Sequence, residues 1–385
     1  MKPLVFLWGA FLKASGVYMT NYKVDFSRSL IGEHKITPAM LDEKGFKLFG
    51  DFFQGDDLSI SLTLNNFCDL RCVYCNPLAS SKWERELELW YKRDLSPKKI
   101  ELPESDSRFT DYFWQWMEQD GSARVTLWEM SGGEPLVHPN FSTTVLKICE
   151  LGKKNGGKER STFRILTNLN SPERIVDKLE KEILPVITET FQVELLASLE
   201  GVGKRIEYSR YGLSWETFKL NAERLAALKF KNYSFGFQVT LNALSISGLS
   251  DFLKFAKFLH DKSNRAIILK LGILTENELL QPKILTPEFN EYFDEALFFL
   301  HEVKDKMKRE TETVGSWPYF HDQLKQIQSE MKLVFTGHPQ ERARFYKFIT
   351  EYDLRRGCNF LQNFPEYTRF YKECRKEHLK LWAAT

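Results

Sequence analysis

Short apolar runs alternate with longer stretches of helical spacing over the first 275 or so residues. Six runs read as strands: Leu58–Leu64, Val125–Met130, Phe163–Thr167, Val193–Ser198, Phe235–Leu241 and Ile267–Leu271. Helical patterns separate them, at Ser80–Arg93, Arg108–Gln119, Thr143–Lys154, Glu173–Leu184, Trp215–Leu228 and Leu249–Asp261. Strand alternating with helix predicts a parallel sheet, because a parallel neighbour is reached only through a crossover. Beyond about Gly272 the pattern changes. Pro282–Phe289 is a turn-rich connector. Glu288–Lys308, His321–Leu333 and Arg342–Tyr352 then read as helices, with Gly315-Ser316-Trp317-Pro318 as a break. There is no internal repeat. The pattern divides the chain into an N-terminal extension (1–55), an α/β region (56–275) and a mainly helical region (276–385) that is a cap, a lid or a partner surface.

Composition narrows the function. Lys+Arg is 54 and Asp+Glu is 52, for a net charge of +2 over 385 residues. That balance argues against a protein built mainly to grip nucleic acid, though a nucleotide substrate stays open. Hydrophobic residues make up 43%, with 31 Phe, which favours a thick apolar core. No stretch of about 20 apolar residues is present, so no membrane span is expected and the location expected is cytoplasmic. Met1-Lys2 followed by Pro3–Leu12 has the outline of a weak signal peptide. Gly9 interrupts it, Lys13 ends it, and no small-x-small cleavage site follows; Met19 is a second candidate start.

Cysteine spacing changes the picture most. Of Cys68, Cys72, Cys75, Cys149, Cys358 and Cys374, three fall within eight residues. An odd local number makes disulfides a poor reading. Zinc wants four ligands, usually in two pairs, and no matching fourth is evident nearby. Three thiolates suit a cubane iron–sulfur cluster with one open iron, which can take a small-molecule ligand. The loop follows the strand Leu58–Leu64, so it falls where a parallel βα barrel places its chemistry.

The CxxxCxxC spacing, with Tyr74 before the last Cys, resembles the radical S-adenosylmethionine (radical SAM) superfamily. The resemblance implies a partial (β/α)6 TIM-like barrel with a mainly helical C-terminal extension. It implies that Cys68, Cys72 and Cys75 hold a [4Fe-4S] cluster whose unique iron chelates S-adenosylmethionine, and that one-electron reduction yields a 5'-deoxyadenosyl radical. Ser131-Gly132-Gly133-Glu134-Pro135 follows the second strand and resembles the family's GGE motif, which holds the methionyl amino group. Two glycines let backbone approach a ligand closely; a plain Gly-rich turn is the other reading. Asn168 ends strand three, where an Asn-capped helix start is the alternative, more so for Asn170. Ser198 ends strand four and is the candidate for ribose or carboxylate. Arg210 is the candidate partner of the cofactor carboxylate, with a surface pair to Glu207 as the alternative. Glu200 stands where many relatives carry Asp and is a candidate for ribose, for catalysis or for capping. Leu241 and Tyr74 are expected near the adenine. His138 reads as a structural histidine, and the Lys304–Arg309 run as a solvated helix face.

Three further segments resemble a twitch-domain group within that superfamily. Cys75-Asn76-Pro77-Leu78-Ala79-Ser80-Ser81-Lys82-Trp83 is similar to CGPxxSSxW. Ser198-Leu199-Glu200-Gly201-Val202-Gly203 through Gly212 is similar to SLDGVGxxxEYxRxG. Arg355-Arg356-Gly357 through Glu366 is similar to RRGxDFLxxFPE. The chain departs from full extensions of this kind in lacking a dense second set of Cys. The C-terminal region is therefore expected to shape a substrate pocket without adding redox centres. The resemblance implies hydrogen abstraction from a peptide or protein, with flavodoxin or ferredoxin as electron donor. The alternatives are a small-molecule substrate such as a nucleotide or sugar, and a non-catalytic iron–sulfur or zinc protein. A radical SAM methyltransferase would want a further catalytic Cys or a cobalamin domain, and neither is seen.

Overall fold

The computed structural model describes residues 23–26, 42–52, 57–77, 79–91, 107–154, 161–275, 277–303, 315–334 and 337–383. The sheet strands are β1 (Lys23–Phe26), β2 (Leu58–Thr63), β4 (Val125–Ser131), β5 (Thr162–Thr167), β6 (Gln192–Ser198), β8 (Tyr233–Leu241) and β9 (Ile267–Ile273). They lie in the order β1-β2-β4-β5-β6-β8-β9. The pairs from β2 to β9 are all parallel, and β1 adds antiparallel on the β2 edge. Two short strands, β3 (Arg71–Cys72) and β7 (Arg210–Tyr211), pair separately and antiparallel. The six expected strands are all present, within two residues of their expected starts and ends. Chain order equals spatial order along the parallel strands, the connectivity of a βα barrel; β9 does not pair with β1, so the barrel is partial.

Alternation along each strand splits the sheet into two faces of different chemistry. The row Ile60, Trp128, Phe163, Val193 and Tyr233 is buried and apolar. Phe237 of the same face meets Phe252 and Phe255 of the helix Leu249–Ser263. The opposite face carries Ser61, Glu129, Arg164 and Glu194 in register. These form a ladder: Ser61 donates to Glu129, Arg164 bridges Glu129 (3.0 Å) and Glu194 (2.8 Å), and Lys270 of β9 reaches Glu194 at 2.6 Å. Opposite charges along the row let a buried polar face form without an unpaired ion.

Helices cover the apolar face. They include α2 (Phe141–Lys154), α4 (Trp215–Ala226) and α5 (Leu249–Ser263), whereas α1 (Ser81–Tyr91) and α3 (Gly203–Ser209) lie against the cysteine loop. The expected helix Glu173–Leu184 runs on to Thr190 through a wide turn at Leu179–Ile183. Pro185 has no N–H to give, and the ladder widens just before it. The outer edge of β9 is covered: Leu269 N–H donates to Gly315 O, and the Trp317 indole donates to Ile267 O. Gly315 sits at φ +97, and a Cβ there would lie 2.7 Å from Ile268.

The C-terminal helices are α6 (Asn290–Val303), α7 (Trp317–Val334), α8 (Pro339–Arg356) and α9 (Thr368–Ala383). The last was not read from sequence. Gly357 ends α8 in the left-handed conformation at φ +61. Phe345, Phe360, Tyr367 and Phe370 interlock by edge and tilted ring contacts. The buried apolar side chains form one cluster from Leu48 to Cys374, so the C-terminal helices and the barrel share a core. No described helix is long and apolar enough to cross a membrane. The Lys304–Arg309 run lies outside the described residues, as do most of residues 1–55.

Candidate active site

The three-cysteine loop leaves β2 and is pinned along its whole length. Asn65 Oδ1 accepts the Phe67 N–H at 2.6 Å. The Asp69 carboxylate accepts from Asn168 Nδ2 (2.7 Å) and Asn170 Nδ2 (3.1 Å) beyond β5. Asn170 is thus a bridge and not a helix cap, because its amide also holds Gly212 O and its Oδ1 accepts the Ser214 N–H. Arg71 and Cys72 pair with Tyr211 and Arg210, and Val73 N–H donates to Ser209 O at 2.7 Å. Ser80 Oγ donates to Leu70 O, and the Trp83 indole donates to Cys72 O at 2.7 Å. None of the three is in a disulfide, and all are partly buried. Burial, joined by the neighbouring Cys72, pushes the Cys68 thiol well up. Burial pushes Cys72 up to about 11, with the Arg210 and Arg356 guanidinium groups pulling the other way.

The glycine turn after β4 packs directly on that loop. Gly132 and Gly133 have φ of +74 and +54. A Cβ on Gly133 would lie 2.4 Å from Phe67 O, so only glycine allows this approach. Glu134 N–H donates to the same Phe67 O at 2.8 Å. The Glu134 carboxylate is buried and accepts from Leu136 N–H (3.1 Å), Thr167 Oγ1 (2.7 Å) and Asn168 N–H (2.5 Å). Burial raises it to about 7 against these donors. His138 is buried, and its Nδ1 accepts the Asn140 N–H, a local structural contact.

A second buried group faces the loop from β6. Arg210 donates through Nε (3.1 Å) and Nη2 (2.6 Å) to Glu200 Oε2, and its Nη1 lies 4.0 Å from Cys72 Sγ. Tyr74 donates to Glu200 Oε1 at 3.0 Å and lies under the guanidinium, 5.5 Å from ring centroid to Cζ. The expected surface alternative for Arg210 does not form. Glu207 pairs instead with Lys204, because the two turns of α3 return Arg210 to the inner side beside Glu200. Ser198 is half-buried at the end of β6, with no side-chain hydrogen bond among the described residues. Leu241 is fully buried at the end of β8, and its C=O accepts from Leu274.

The three segments that resemble the twitch-domain group meet in space. Trp83 lies under Arg356 (4.6 Å) and Arg355 (5.4 Å). Tyr208 donates to Asp353, and Tyr352 donates to Tyr208 O. Arg205 pairs with Glu366. Sequence reading missed the carboxylate at their centre, Glu86, which holds Arg71, Arg355 and Arg356 together. Pairs so far apart in sequence leave no periodic signal. A pocket of about 400 Å³ opens beside the loop, lined by Tyr74, Cys75 and Asn76 on one side and by Asn277, Glu278, Leu279 and Arg344 on the other.

Three thiols on one loop are a donor set that suits the three protein-bound irons of an iron–sulfur cubane. Among the described residues no three His, Cys, Asp or Glu side chains converge on a single metal position. Cubane thiolates each bind a separate iron and need no such convergence. The guanidinium groups of Arg210 and Arg356 beside Cys72 oppose the negative charge of bound thiolates.

Residues 62–256, more than half the chain, match the family described as the Radical SAM superfamily. No curated protein sequence matches. Among solved structures, the Streptococcus suis protein SuiB bound to precursor peptide SuiA is similar at 12% identity and a TM-score of 0.38. The match covers 67% of this chain and 49% of that one. Native anSMEcpe with bound AdoMet and Cp18Cys peptide is similar at 14% identity and a TM-score of 0.36, over 62% of this chain and 58% of that one. The chain thus spans about half the length of these structures.

Proposed function

This chain belongs to the radical SAM superfamily, and we propose that it abstracts hydrogen from a peptide or protein substrate presented at the pocket beside Cys75. As a member it is an enzyme that uses a [4Fe-4S] cluster and S-adenosylmethionine. When bound, these two supply a 5'-deoxyadenosyl radical that takes a hydrogen atom from an unactivated C–H. The residues divide the work. Cys68, Cys72 and Cys75 hold the cluster. The backbone of Gly132 and Gly133, with Glu134, receives the methionyl ammonium. Ser198 offers a free hydroxyl toward the ribose or carboxylate, Tyr74 and Leu241 border the adenine, and Asn168 fixes the loop through Asp69. Arg210 has one face committed to Glu200 and the other toward the cofactor carboxylate. Glu200 is the candidate for substrate or ribose contact.

The observation that carries the reading is the pocket. One wall is the cysteine loop and the other is the C-terminal region, through residues 277–279 and Arg344 of α8, so a ligand there touches both. Its volume suits one or two side chains of a longer chain lying across its open mouth. Residues 276–385 then serve as a twitch-like cap that shapes the substrate site, residues 56–275 as the barrel domain, and 1–55 as an extension. The peptide preference follows the resemblance of the three converging segments to the twitch-domain group, and a small nucleotide or sugar is the runner-up. The electron donor is a flavodoxin or ferredoxin, and the location cytoplasmic. The test is anaerobic reconstitution, then S-adenosylmethionine and dithionite, scored for 5'-deoxyadenosine. Product with about four irons per chain supports the chemistry. A cluster with no cleavage, with and without added peptides, would count against it.

A further inference from the structure

Glu86 is one carboxylate facing three arginines. Its Oε2 accepts from Arg71 (3.0 Å) and Arg356 (2.9 Å), and its Oε1 accepts from Arg355 (3.2 Å) and Arg356 (3.1 Å). The Arg356 side chain is 0% exposed. Its guanidinium sits 3.9 Å from the Tyr352 ring, 4.6 Å from Trp83 and 5.1 Å from Tyr211. Its Nη1 donates to Arg71 O at 2.9 Å, on the strand that carries Cys72. Its Nη2 is buried with no hydrogen-bond partner. On the far side of Cys72, Arg210 is matched one to one by Glu200. On the Glu86 side three guanidinium groups meet two carboxylates, Glu86 and, 4.0 Å from Arg355, Glu351; Arg71 is partly exposed, and the surplus positive charge is left at Arg356, enclosed by aromatic rings beside the cysteine loop. A buried surplus of this kind is costly unless an anion answers it.

We propose that Arg356 is a positioning residue for the cluster loop: from the end of α8 it fixes the Arg71–Cys72 strand and biases a cluster bound there toward its one-electron-reduced form. The inference rests on the cluster assignment above. Net charge and hydrogen bonding around the sulfurs set such potentials, and the added electron comes from an external reductant. The helical region thereby takes part in the redox site with charge and not with cysteines. Arg356 suits this role because its planar fork holds Glu86 and the Arg71 carbonyl while its faces stack on rings, which Lys cannot copy.

The test compares Arg356→Gln and Arg356→Lys with the reconstituted wild-type chain. Readouts are iron content and the midpoint potential, followed by electron paramagnetic resonance in a dye-mediated titration. Glu86 keeps Arg71 and Arg355 in both variants, so neither leaves a bare buried carboxylate. In Arg356→Gln we expect iron to be retained. The reduced-to-oxidised ratio at fixed potential should fall about tenfold, which is about 59 mV for one electron. Arg356→Lys restores most of the potential, because charge is kept, while its resonance lines broaden as the loop loosens. An unchanged midpoint in an iron-replete Arg356→Gln overturns the proposal, as does an equal shift in both variants. If Arg356→Gln takes up no iron, recovery of iron in Arg356→Lys supports the role, and failure in both folded variants refutes it. A wild-type chain that takes up no iron would instead refute the cluster assignment itself.

Discussion

Cys72 is half-buried and Cys374 fully buried, and their neighbours differ. Cys72 lies on a two-residue strand, held by Trp83 and flanked by Arg210 and Arg356. Cys374 sits inside α9 against the C-terminal aromatic core, where burial raises its thiol and Glu377 and Glu373 outweigh any help from Arg342. Cys358 resembles the second case: its Sγ donates to Asp353 at 3.3 Å, and burial with that carboxylate pushes it up to about 12. Cys149, inside α2, reaches about 12 through burial. Burial alone makes a thiol inert, whereas backbone anchoring plus nearby guanidinium groups makes a place for thiolates.

The largest test of this contrast is cysteine removal. Cys72→Ala should abolish cluster assembly, because a three-thiolate site has no spare ligand, whereas Cys374→Ala should keep full iron. Iron analysis after reconstitution decides, and full iron in Cys72→Ala would collapse the distinction. Next is Arg210→Ala, which should lower S-adenosylmethionine affinity tenfold or more while the cluster survives. It should also cost about 3–5 kcal/mol of stability, since Glu200 is left buried with only the Tyr74 hydroxyl. Unchanged affinity by calorimetry would leave Arg210 with a structural role only.

A smaller effect concerns Glu134. In the folded chain its carboxyl keeps a proton up to about pH 7, against 4.5 unfolded. The folded state therefore binds more protons between those values. Its contribution is fully present below pH 4.5 and is lost as pH rises through 7, by roughly 3 kcal/mol in all. Glu134→Gln should flatten that slope, and identical urea-melt slopes for both proteins from pH 5 to 8 would contradict it. The smallest is Arg344→Ala. Arg344 lies 3.8 Å from Glu278 with both side chains about 60% exposed, so stability should move by less than about 0.5 kcal/mol. The KM for the substrate should nevertheless rise severalfold, and an unchanged KM would remove Arg344 from the substrate site.

Much of this was legible in the chain. Strand positions were readable because each apolar run faces a helix layer and is closed by a polar turn. The cysteine spacing and Gly132-Gly133-Glu134 were readable because local geometry demands those residue types. The strand Lys23–Phe26 was not, since four residues carry too little pattern and its role is to cover an edge of β2. The buried pairing of Arg210 with Glu200 was not legible, because sequence distance does not show that α3 turns the chain back on itself. The polar inner ladder from Ser61 to Lys270 appears only when the six parallel strands are placed side by side. Asp69 with Asn168, and Glu86 with Arg356, are pairs between segments far apart in the chain that no window of sequence could reveal.

The hydrogen bond from Arg356 to Arg71 O spans 285 positions of the chain. A ribosome adding about 5–20 residues per second needs roughly 15–60 s to cover that distance. The cysteine loop thus emerges long before the residue that completes its wall. During synthesis the barrel strands can pair while the loop still lacks its arginine brace, which arrives only with the end of α8.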